Sequence, residues 1–393
     1  MGGVSSNPGI DIRNKKYTQR GVSSSKEDVV LAIRDLDPGV YPNAFCRIVP
    51  DILGQNPKYV NLMHADGAGS KSSLAYIYWR ETQDVSVFES LAQDALVMNI
   101  DDMACVGGVQ SPMLFSSCIA RNKRYIPAEV IKALIHGTEK FLAEMRKLDF
   151  SMHLSGGETA DLGDNVRTLV VDATATCRMP KKHVIENHIQ PGDVIVGCAS
   201  DGQATYEKEY NSGIASNGLS ALRHDLFKKE YLHRYPESLD PHMDASLAYA
   251  GSYSLHDVLP RMGISQPLGK LALSPTRTYA PLIRDVLEQI RDQIHGIIHC
   301  SGGGQYKVLP FLKGCRAVKD QLFQAPPIFR ILPDYPHPDL YHIFNMGHRL
   351  EFYTSPKGVE TILDICKKYK IQGKAVGFVE ASSQAEVRLI LPE

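Results

Sequence analysis

Hydrophobic residues recur along this chain with two different spacings. Apolar residues three or four positions apart predict a helix over 84–106, a second that begins at Pro127 and a third that ends near Ile290. Short apolar runs bounded by Gly, Asp or Ser predict strands, and these cover 59–63, 113–119, 166–177, 194–199 and 296–300. Because strands and helices alternate in both halves, the pattern predicts an α/β or α+β fold.

Cap and turn residues add further elements to this pattern. Ser25 is the predicted N-cap of an early helix, because carboxylates follow it in the first turn. Pro275 and Thr276 are predicted to cap the helix that ends near Ile290. A further helix is predicted to begin at Gln305, directly after a run of glycines.

The length and charge of the chain limit the kinds of protein it can be. At roughly 100–200 residues per domain, 393 residues suggest two or three domains. The polar, turn-rich segment 181–193 predicts two, with the division 1–180 and 181–393. A formal net charge of −1 argues against a polybasic nucleic-acid-binding protein. Apolar runs far shorter than the roughly 20 residues that span a bilayer predict no membrane segment.

The start of the chain and its cysteines indicate the cellular compartment. The chain does not open with the charged and apolar pattern of an export signal. Its eight cysteines contain no C-x-x-C pair, which predicts free thiols rather than a zinc ribbon or a redox motif. The sequence therefore predicts a cytoplasmic protein.

A glycine-rich segment at the end of the first predicted strand carries candidate phosphate chemistry. It reads Asp66-Gly67-Ala68-Gly69-Ser70-Lys71. Glycine amides can point at phosphate oxygens, the lysine adds a positive charge, and the aspartate is a possible Mg²⁺ ligand. The spacing of a Walker P-loop is absent, and a simple turn followed by a surface lysine remains an alternative.

Acidic residues interrupt the otherwise apolar helix over 84–106. At 100° per residue, Asp94 and Asp101 lie about 20° apart on the helical wheel, and Asp102 lies about 80° from Asp94. Buried carboxylates are costly unless they are paired or bound to a cation. Those near the helix C-terminus also oppose the helix dipole. The pattern indicates a metal or phosphate face, with solvated surface carboxylates as the alternative.

Three later segments repeat the combination of glycine with polar residues. Gly156-Gly157-Glu158-Thr159 stands at the predicted end of a strand and offers a further oxygen ligand. His299-Cys300-Ser301-Gly302-Gly303-Gly304 reads as a strand, a glycine loop and a helix N-terminus, which is a typical anion site. Phe344-Asn345-Met346-Gly347 suggests a tight turn beside a core strand.

In this order, the segments resemble the aminoimidazole ribonucleotide synthetase family, also called phosphoribosylformylglycinamidine cyclo-ligase. That family belongs to an ATP-binding superfamily with formylglycinamidine synthetase and selenophosphate synthetase. Asp66–Lys71 is similar to the family's DGVGTK, and Asp94-x-x-x-Met98-x-x-Asp101-Asp102 to its DxxxMxxND. Other matches are Gly156–Ala160 with GGETA, Gly192-Asp193 and Ser212–Gly218 with GD and SGxHSNG, Pro275–Tyr279 with PTxxY, His299–Gly304 with HITGGG, and Phe344–Gly347 with FNMG.

The chain also departs from the family pattern. The early YxxxGVDIxxGN is reduced to Tyr17-x-x-x-Gly21-Val22, and the histidine of HSNG is replaced by Ala215. Asp201–Asn211 resembles an insertion, and Asp161–Asp164 replaces the family's EMPGMY.

The resemblance implies a two-domain synthetase fold in which the N-terminal domains of two subunits pair into a β-barrel. It implies ATP and Mg²⁺ as cofactors, a small-molecule substrate and a homodimer. The implied reaction is the ATP-dependent cyclisation of formylglycinamidine ribonucleotide to aminoimidazole ribonucleotide through an iminophosphate. A divergent member that phosphorylates another amide or acid, and a nucleotide-binding scaffold without activity, are the alternatives.

The resemblance also implies roles for individual residues. Lys71 and Asp94 are the implied catalytic residues. The implied Mg²⁺ ligands are Asp66, Asp94, Asp102 and Glu158. The implied nucleotide-binding residues are Asp66, Gly67, Ala68, Gly69, Ser70, Gly156, Gly157 and Thr159. Substrate or phosphate is implied to bind at Ser216, Asn217, Gly218, Ser301, Gly302, Gly303 and Gly304.

Overall fold

The structure of the protein is a computed structural model that describes residues 16–23, 27–333 and 335–392. Ser25, the predicted N-cap of the first helix, lies outside the described residues, and the helix (α1) covers Glu27–Ile33. Among the described residues, no helix combines the length and the apolar character needed to cross a lipid bilayer.

The first half of the described chain builds one mixed β-sheet. Its strands are Ile48–Pro50 (β1), Tyr59–Gly67 (β2), Met113–Arg121 (β3), Met152–Asp161 (β4) and Leu169–Pro180 (β5). They follow the order β1-β2-β5-β3-β4, in which β3 and β4 are parallel and the other neighbours are antiparallel. Residues along β5 are alternately buried and exposed, so one face of the sheet is covered and the other is open.

Helices cover one face of this sheet. They are Lys71–Thr82 (α2), Val87–Cys105 (α3) and Ala128–Lys147 (α4). Nearly every residue of α3 is buried, because this helix also contacts β-strand and helix residues of the second half. Its carboxylates are therefore interior groups that need partners within the protein or in a ligand.

The second half of the described chain builds a six-stranded sheet. Its strands are Val194–Ala199 (β6), Ile294–His299 (β7), Cys315–Lys319 (β8), His348–Thr354 (β9), Gly373–Ala381 (β10) and Glu386–Leu389 (β11). Their order is β11-β8-β10-β6-β9-β7, and only the β8–β11 pairing in this sheet is parallel.

The second half also contains α-helices. They are Leu219–Leu226 (α5), Glu230–Arg234 (α6), Leu268–Ala272 (α7), Ala280–Ile290 (α8), Pro327–Arg330 (α9), Leu340–Ile343 (α10) and Val359–Lys368 (α11). α8 and α11 pack on each other, and α11 contacts β6 and β10. The mixed α/β class is confirmed, and the predicted division at 180/181 falls between the strands of the two sheets.

The prediction that Gly156 and Gly157 mark a strand end is wrong, because both lie inside β4. They pair with Ser116 and Ser117 of β3, next to a bulge at Phe115. A side chain at Gly157 would come within 2.6 Å of the Ser117 carbonyl oxygen. The glycine therefore permits a close approach of two strands rather than a turn.

Two predicted helix starts are also wrong. The helix expected at Pro275 and Thr276 begins at Ala280, because the Thr276 amide and hydroxyl bond to Asp94 instead of capping a helix. The helix expected from Gln305 is a single 3₁₀ turn over Gly304–Tyr306, followed by another short turn that contains a proline. The Ser301–Gly304 loop is therefore not the N-terminus of an α-helix.

Candidate functional site

The loop between β2 and α2 has the form of an anion-binding turn. Gly69 adopts a left-handed conformation with a φ of 54°, and open space surrounds the position of an added Cβ. Within the described chain, the amides of Gly69 and Ser70 make no hydrogen bond to another residue. Two neighbouring unpaired amides in such a turn suit phosphate oxygens, so the loop fits the nucleotide that the sequence predicts.

Lys71 points from this loop into the interior. Its side chain is 1% exposed, and its Nζ donates to Asp94 Oδ1 at 2.8 Å and to the carbonyl of Ser274 at 2.6 Å. Burial lowers the pKa of Lys71 despite the neighbouring Asp94 carboxylate. The ammonium group thus joins the loop, helix α3 and the second half of the chain, and it is not a surface lysine.

Asp94 is fully buried, and its two oxygens have different surroundings. Oδ1 accepts hydrogen bonds from Lys71, from the Thr276 amide at 2.7 Å and from the Thr276 hydroxyl at 2.5 Å. Oδ2 accepts none from the described residues. A buried carboxylate oxygen without a donor suits a water or a cation, so the chemistry of Asp94 is compatible with the Mg²⁺ role that the sequence predicts.

Asp101 lies on the same side of α3 as Asp94, as the helical wheel predicts. It accepts hydrogen bonds from the Thr278 hydroxyl at 2.7 Å and from the Tyr279 amide at 3.1 Å, and Arg349 lies 3.6 Å away. Burial raises the pKa of Asp101. Asp94 and Asp101 together anchor the 274–279 segment of the second half against the first half.

Asp102 stands between two histidines. Its Oδ1 lies 2.5 Å from Nδ1 of His299, and its Oδ2 lies 3.3 Å from Nε2 of His64. Arg349 donates to Nε2 of His299 at 3.0 Å, and because a guanidinium only donates, His299 carries its hydrogen on Nδ1. Both Asp102 oxygens are therefore engaged, and a metal ion at Asp102 would have to share them with a histidine.

The surroundings of His64 favour its protonated form. Asn99 donates its Nδ2 to the carbonyls of Ala95 and Ala173, so its Oδ1 is the acceptor that faces His64 Nδ1 at 2.9 Å. One ring nitrogen of His64 thus faces an amide oxygen, and the other lies 3.3 Å from the Asp102 carboxylate. Burial alone would lower the pKa of His64, but Asp102, Asn99 and Asp66 outweigh it and raise the pKa.

Asp66 closes β2 beside a second carboxylate. Its Oδ1 accepts a hydrogen bond from the Gly67 amide at 2.7 Å. Burial and the charge of Asp66 raise the pKa of Asp172, which pairs with Gly67 across the sheet. A side chain at Gly67 would come within 1.7 Å of Asp172 Oδ1, so the glycine makes room for this carboxylate. Two carboxylates that repel each other favour a bound cation.

Glu158 is exposed on β4, at the edge of the first sheet. It pairs with Cys118, which pairs with Asp172, so the three side chains form a row across the open face. Neighbouring strands are about 4.8 Å apart, which puts Glu158 roughly two strand spacings from Asp172. Gly156, Gly157 and Thr159 are exposed on the same strand.

Three loops of the second half lie next to one another, and they cover 213–218, 301–304 and 344–347. Asn217 Nδ2 lies 3.4 Å from the position of a Cβ on Gly302, so the 216–218 and 301–304 segments face each other. Asn345 accepts from the Ser200 hydroxyl at 2.8 Å and donates to the Gly213 carbonyl at 2.8 Å. The 344–347 segment therefore supports the 213–218 loop from behind.

Other residues of the 216–218 and 301–304 segments also make contacts that fix the two loops. Ser216 shares a hydrogen bond of 3.0 Å with Thr276, next to Asp94. Gly218 adopts a φ of 80° and Gly303 a φ of 92°, and the space around a Cβ at Gly303 is open. A Cβ at Gly304 would meet the carbonyl of Tyr341 at 2.2 Å. Ser301 is buried beneath the loop.

The described residues do not form a metal cage of protein ligands alone. No group of three or more His, Cys, Asp or Glu side chains gathers at metal-binding distance in the ranges that the structure describes. Mg²⁺ is usually held by one or two carboxylates together with nucleotide phosphates and water. Asp66, with Asp172 beside it, fits that kind of site.

Sequence reasoning missed several partners of the predicted site residues. Asp172 was overlooked, although a carboxylate inside the alternating Val-Val-Asp-Ala-Thr run of β5 is an unusual strand residue. Arg349 and Thr278 were also missed, because nothing near them in the sequence signals a contact with α3. No pattern in the sequence marks His64 as a neighbour of Asp102 either.

Two protein-family models match most of this chain. The model described as AIR synthase related protein, N-terminal domain, matches residues 46–179, and the model for the C-terminal domain matches residues 190–390. A phosphoribosylformylglycinamidine cyclo-ligase of Lachnospira eligens is 27% identical over 334 residues, which are 83% of each chain. One of Methanococcus vannielii is 26% identical over 326 residues, 82% of this chain and 78% of that protein.

Solved structures share the fold at low sequence identity. Thiamine-monophosphate kinase from Stenotrophomonas maltophilia is 14% identical, with a TM-score of 0.52 over 93% of this chain and 95% of that one. T. maritima PurL complexed with ADP is 14% identical, with a TM-score of 0.52 over 96% of this chain and 49% of that one.

Proposed function

Because this chain belongs to the AIR synthase related protein family, we propose that it is a phosphoribosylformylglycinamidine cyclo-ligase of purine biosynthesis. The observation that carries the proposal is the match to relatives of that name over both halves of the chain. The substrate is formylglycinamidine ribonucleotide, the cofactors are ATP and Mg²⁺, and the product is aminoimidazole ribonucleotide.

The reaction needs an activated amide oxygen. In the proposed sequence the formamide oxygen attacks the γ-phosphorus of ATP, and ADP leaves. A nitrogen of the same substrate then attacks the activated carbon, the carbon–oxygen bond to the phosphoryl group breaks, and phosphate leaves with a proton lost from nitrogen. Phosphoryl transfer depends on alignment and charge neutralisation more than on a strong base, which suits a site built from amides, carboxylates and one buried lysine.

We assign the nucleotide phosphates to the β2–α2 loop. Its support is the pair of unpaired amides at Gly69 and Ser70, with Gly67 and Ala68 holding the backbone against β5. Mg²⁺ would neutralise phosphate charge. Asp66 is the carboxylate we propose to hold it. Glu158 is three strands away from Asp66, on the edge strand next to Gly156, Gly157 and Thr159, so we propose it as a ligand of a separate Mg²⁺ ion.

Asp94, Asp102 and Lys71 act from buried positions in this proposal. One oxygen of Asp94 receives no hydrogen bond from the described residues, and Lys71 balances the charge of the carboxylate. Asp102 orients His299 and His64. The Ser301–Gly304 and Ser216–Gly218 loops bind the substrate or its phosphate, which is supported by the open space at Gly303 and the contact between Gly302 and Asn217.

The direct test is an assay with the purified protein, Mg²⁺-ATP and formylglycinamidine ribonucleotide. We expect equal amounts of ADP, phosphate and aminoimidazole ribonucleotide, the last measured by its diazo-coupling colour. Reactions without Mg²⁺ or with the formyl group replaced by acetyl serve as controls. ADP release without imidazole, or no turnover by a folded protein, would reject this substrate.

We also propose a cytoplasmic location. Its support is that all eight cysteines are free thiols, including the buried Cys198 and Cys366, whose sulfurs lie 3.7 Å apart without a bond. Unbonded neighbouring thiols are typical of a reducing compartment.

We propose that the open face of the first sheet pairs with a second copy. Met63, Thr176 and Leu114 form a row across β2, β5 and β3, and Met63 is 72% exposed and Leu114 47%. Val170 on the same face is 40% exposed. Exposed apolar side chains in one row on a rigid sheet are typical of an interface.

Charges on this face should separate the two copies. The double variant Met63→Asp, Leu114→Asp would bury unpaired carboxylates in the interface, so we expect it to elute as a monomer of 43.5 kDa in light-scattering chromatography. Ile135→Asp is the matched control, because Ile135 is 43% exposed on α4, on the opposite side of the sheet. A wild-type monomer, or dissociation by the control, would contradict the proposal.

A further inference from the structure

Gln305 lies directly after the glycine loop and is fully buried. Its Nε2 donates to the carbonyl of Asn345 at 2.7 Å and to the carbonyl of His348 at 3.1 Å. Both hydrogens of the amide group are therefore used on one turn of the chain. The side chain ties the 301–304 loop to the turn that precedes β9.

Lys319, at the end of β8, fixes Gln305 from the other side. Its Nζ donates to the Gln305 backbone carbonyl at 2.6 Å and to Gln305 Oε1 at 3.3 Å. The third contact of the ammonium is Glu351 Oε1 at 2.6 Å. An ammonium has three donors, so the group is saturated and Gln305 is held by both its main chain and its side chain.

Glu351 supplies the counter-charge in this dry interior. It is fully buried, and it receives hydrogen bonds from His348 Nε2 at 2.9 Å and from the Tyr353 hydroxyl at 2.9 Å. Burial would raise the pKa of Glu351, but Lys319 and His348 outweigh it and lower the pKa to about 2. The carboxylate is thus ionised near neutral pH and balances the ammonium.

The 345–348 turn, which Gln305 contacts, also supports the 213–218 loop. Asn345 donates to the Gly213 carbonyl and accepts from Ser200, while Gly302 faces Asn217. A shift of the 345–348 turn would therefore move the 213–218 loop relative to the 301–304 loop. Through its hydrogen bonds to the 345–348 turn, Gln305 therefore connects the 301–304 loop to the 213–218 loop.

We propose that Gln305 is a positioning residue that sets the spacing between the Ser301–Gly304 and Ser216–Gly218 loops, and that the buried Lys319–Glu351 pair holds it in this role. The catalytic consequence rests on the proposed function, whereas the structural consequence does not. Interactions that hold binding loops without touching the ligand act on substrate alignment.

The test compares Gln305→Met with Tyr353→Phe. Gln305→Met keeps the volume and removes the hydrogen bonds to the Asn345 and His348 carbonyls. Tyr353→Phe removes one hydrogen bond to Glu351 in the same network without touching either loop. Amide hydrogen exchange, read by mass spectrometry, measures loop order in both variants, and steady-state kinetics measures KM and kcat.

We expect Gln305→Met to raise exchange in 301–306 and 345–348 and to raise KM for ATP or for the amidine substrate about tenfold or more. Tyr353→Phe should change both by about twofold or less. Equal effects of the two variants would overturn the proposal. If the wild type has no turnover, the proposed function fails while the exchange measurement still decides the role of Gln305. If Gln305→Met does not fold, Gln305→Asn is used in its place. Its side chain is one carbon shorter, which withdraws the amide from the Asn345 and His348 carbonyls.

Discussion

Lys71→Met should lower the free energy of unfolding by about 3–5 kcal/mol and reduce turnover by about 100-fold or more. Asp94 is fully buried, and Lys71 is the cation that its Oδ1 contacts. Removing the ammonium leaves an uncompensated charge in the interior, and it also breaks the link from the β2–α2 loop to the Ser274 carbonyl. Chemical denaturation with fluorescence detection measures the first effect, and ADP release measures the second.

A double variant separates stability from function in this pair. Lys71→Met with Asp94→Asn removes both charges but keeps an Oδ1 that accepts the hydrogen bonds of the Thr276 amide and hydroxyl, so we expect most of the stability to return. Activity should not return, because the carboxylate with its free oxygen is also lost. Lys71→Met with wild-type stability would show that the Lys71–Asp94 contact does not stabilise the fold. An active double variant would show that neither residue serves the reaction.

The acidic pattern of α3 was predictable from the sequence, but its partners were not. Asp94 and Asp101 were expected on one side of the helix, and both do face the 274–279 segment. The helical wheel depends on neighbours in the chain and is therefore readable locally. Their partners Thr276 and Thr278 lie more than 170 residues away, and no periodicity connects them to the helix.

The same limit explains the errors at the glycines. Local reasoning interprets two adjacent glycines as a turn, as it did at Gly156 and Gly157. Their actual cause is the close approach of β3, which depends on strand pairing. At Gly303 and Gly304 the turn was predicted correctly, but the helix after it was not. Buried contacts from Lys319 to Gln305, which lie outside any local pattern, fix the chain there instead.

The motifs located the loops better than they located individual contacts. The Ser301–Gly304 and Ser216–Gly218 segments were both predicted to bind ligand, and they face each other at Gly302 and Asn217. Lys71 was expected among the phosphates, yet its side chain is buried beside Asp94. A lysine in a glycine-rich loop has no sequence feature that distinguishes the two orientations.

Asp66→Asn should lower kcat/KM by about 100-fold or more while leaving the fold intact. Asparagine keeps the Oδ1 that accepts the Gly67 amide hydrogen bond, so the end of β2 is retained. The substitution removes the negative charge beside Asp172. It therefore also removes the repulsion between two carboxylates that a bound cation would relieve. The Mg²⁺ concentration needed for half-maximal ADP release should therefore rise together with the loss of turnover.

The control for this variant is an aspartate that lies outside the proposed Mg²⁺ site. Asp164→Asn serves, because Asp164 is exposed in the loop after β4. We expect it to retain wild-type kinetics and an unchanged Mg²⁺ requirement, and both variants should unfold within about 1 kcal/mol of the wild type. If Asp66→Asn responded to Mg²⁺ as the wild type does, the ion would have to bind elsewhere. The unpaired oxygen of Asp94 would then be the next carboxylate to test, since it is buried and receives no donor from the described residues.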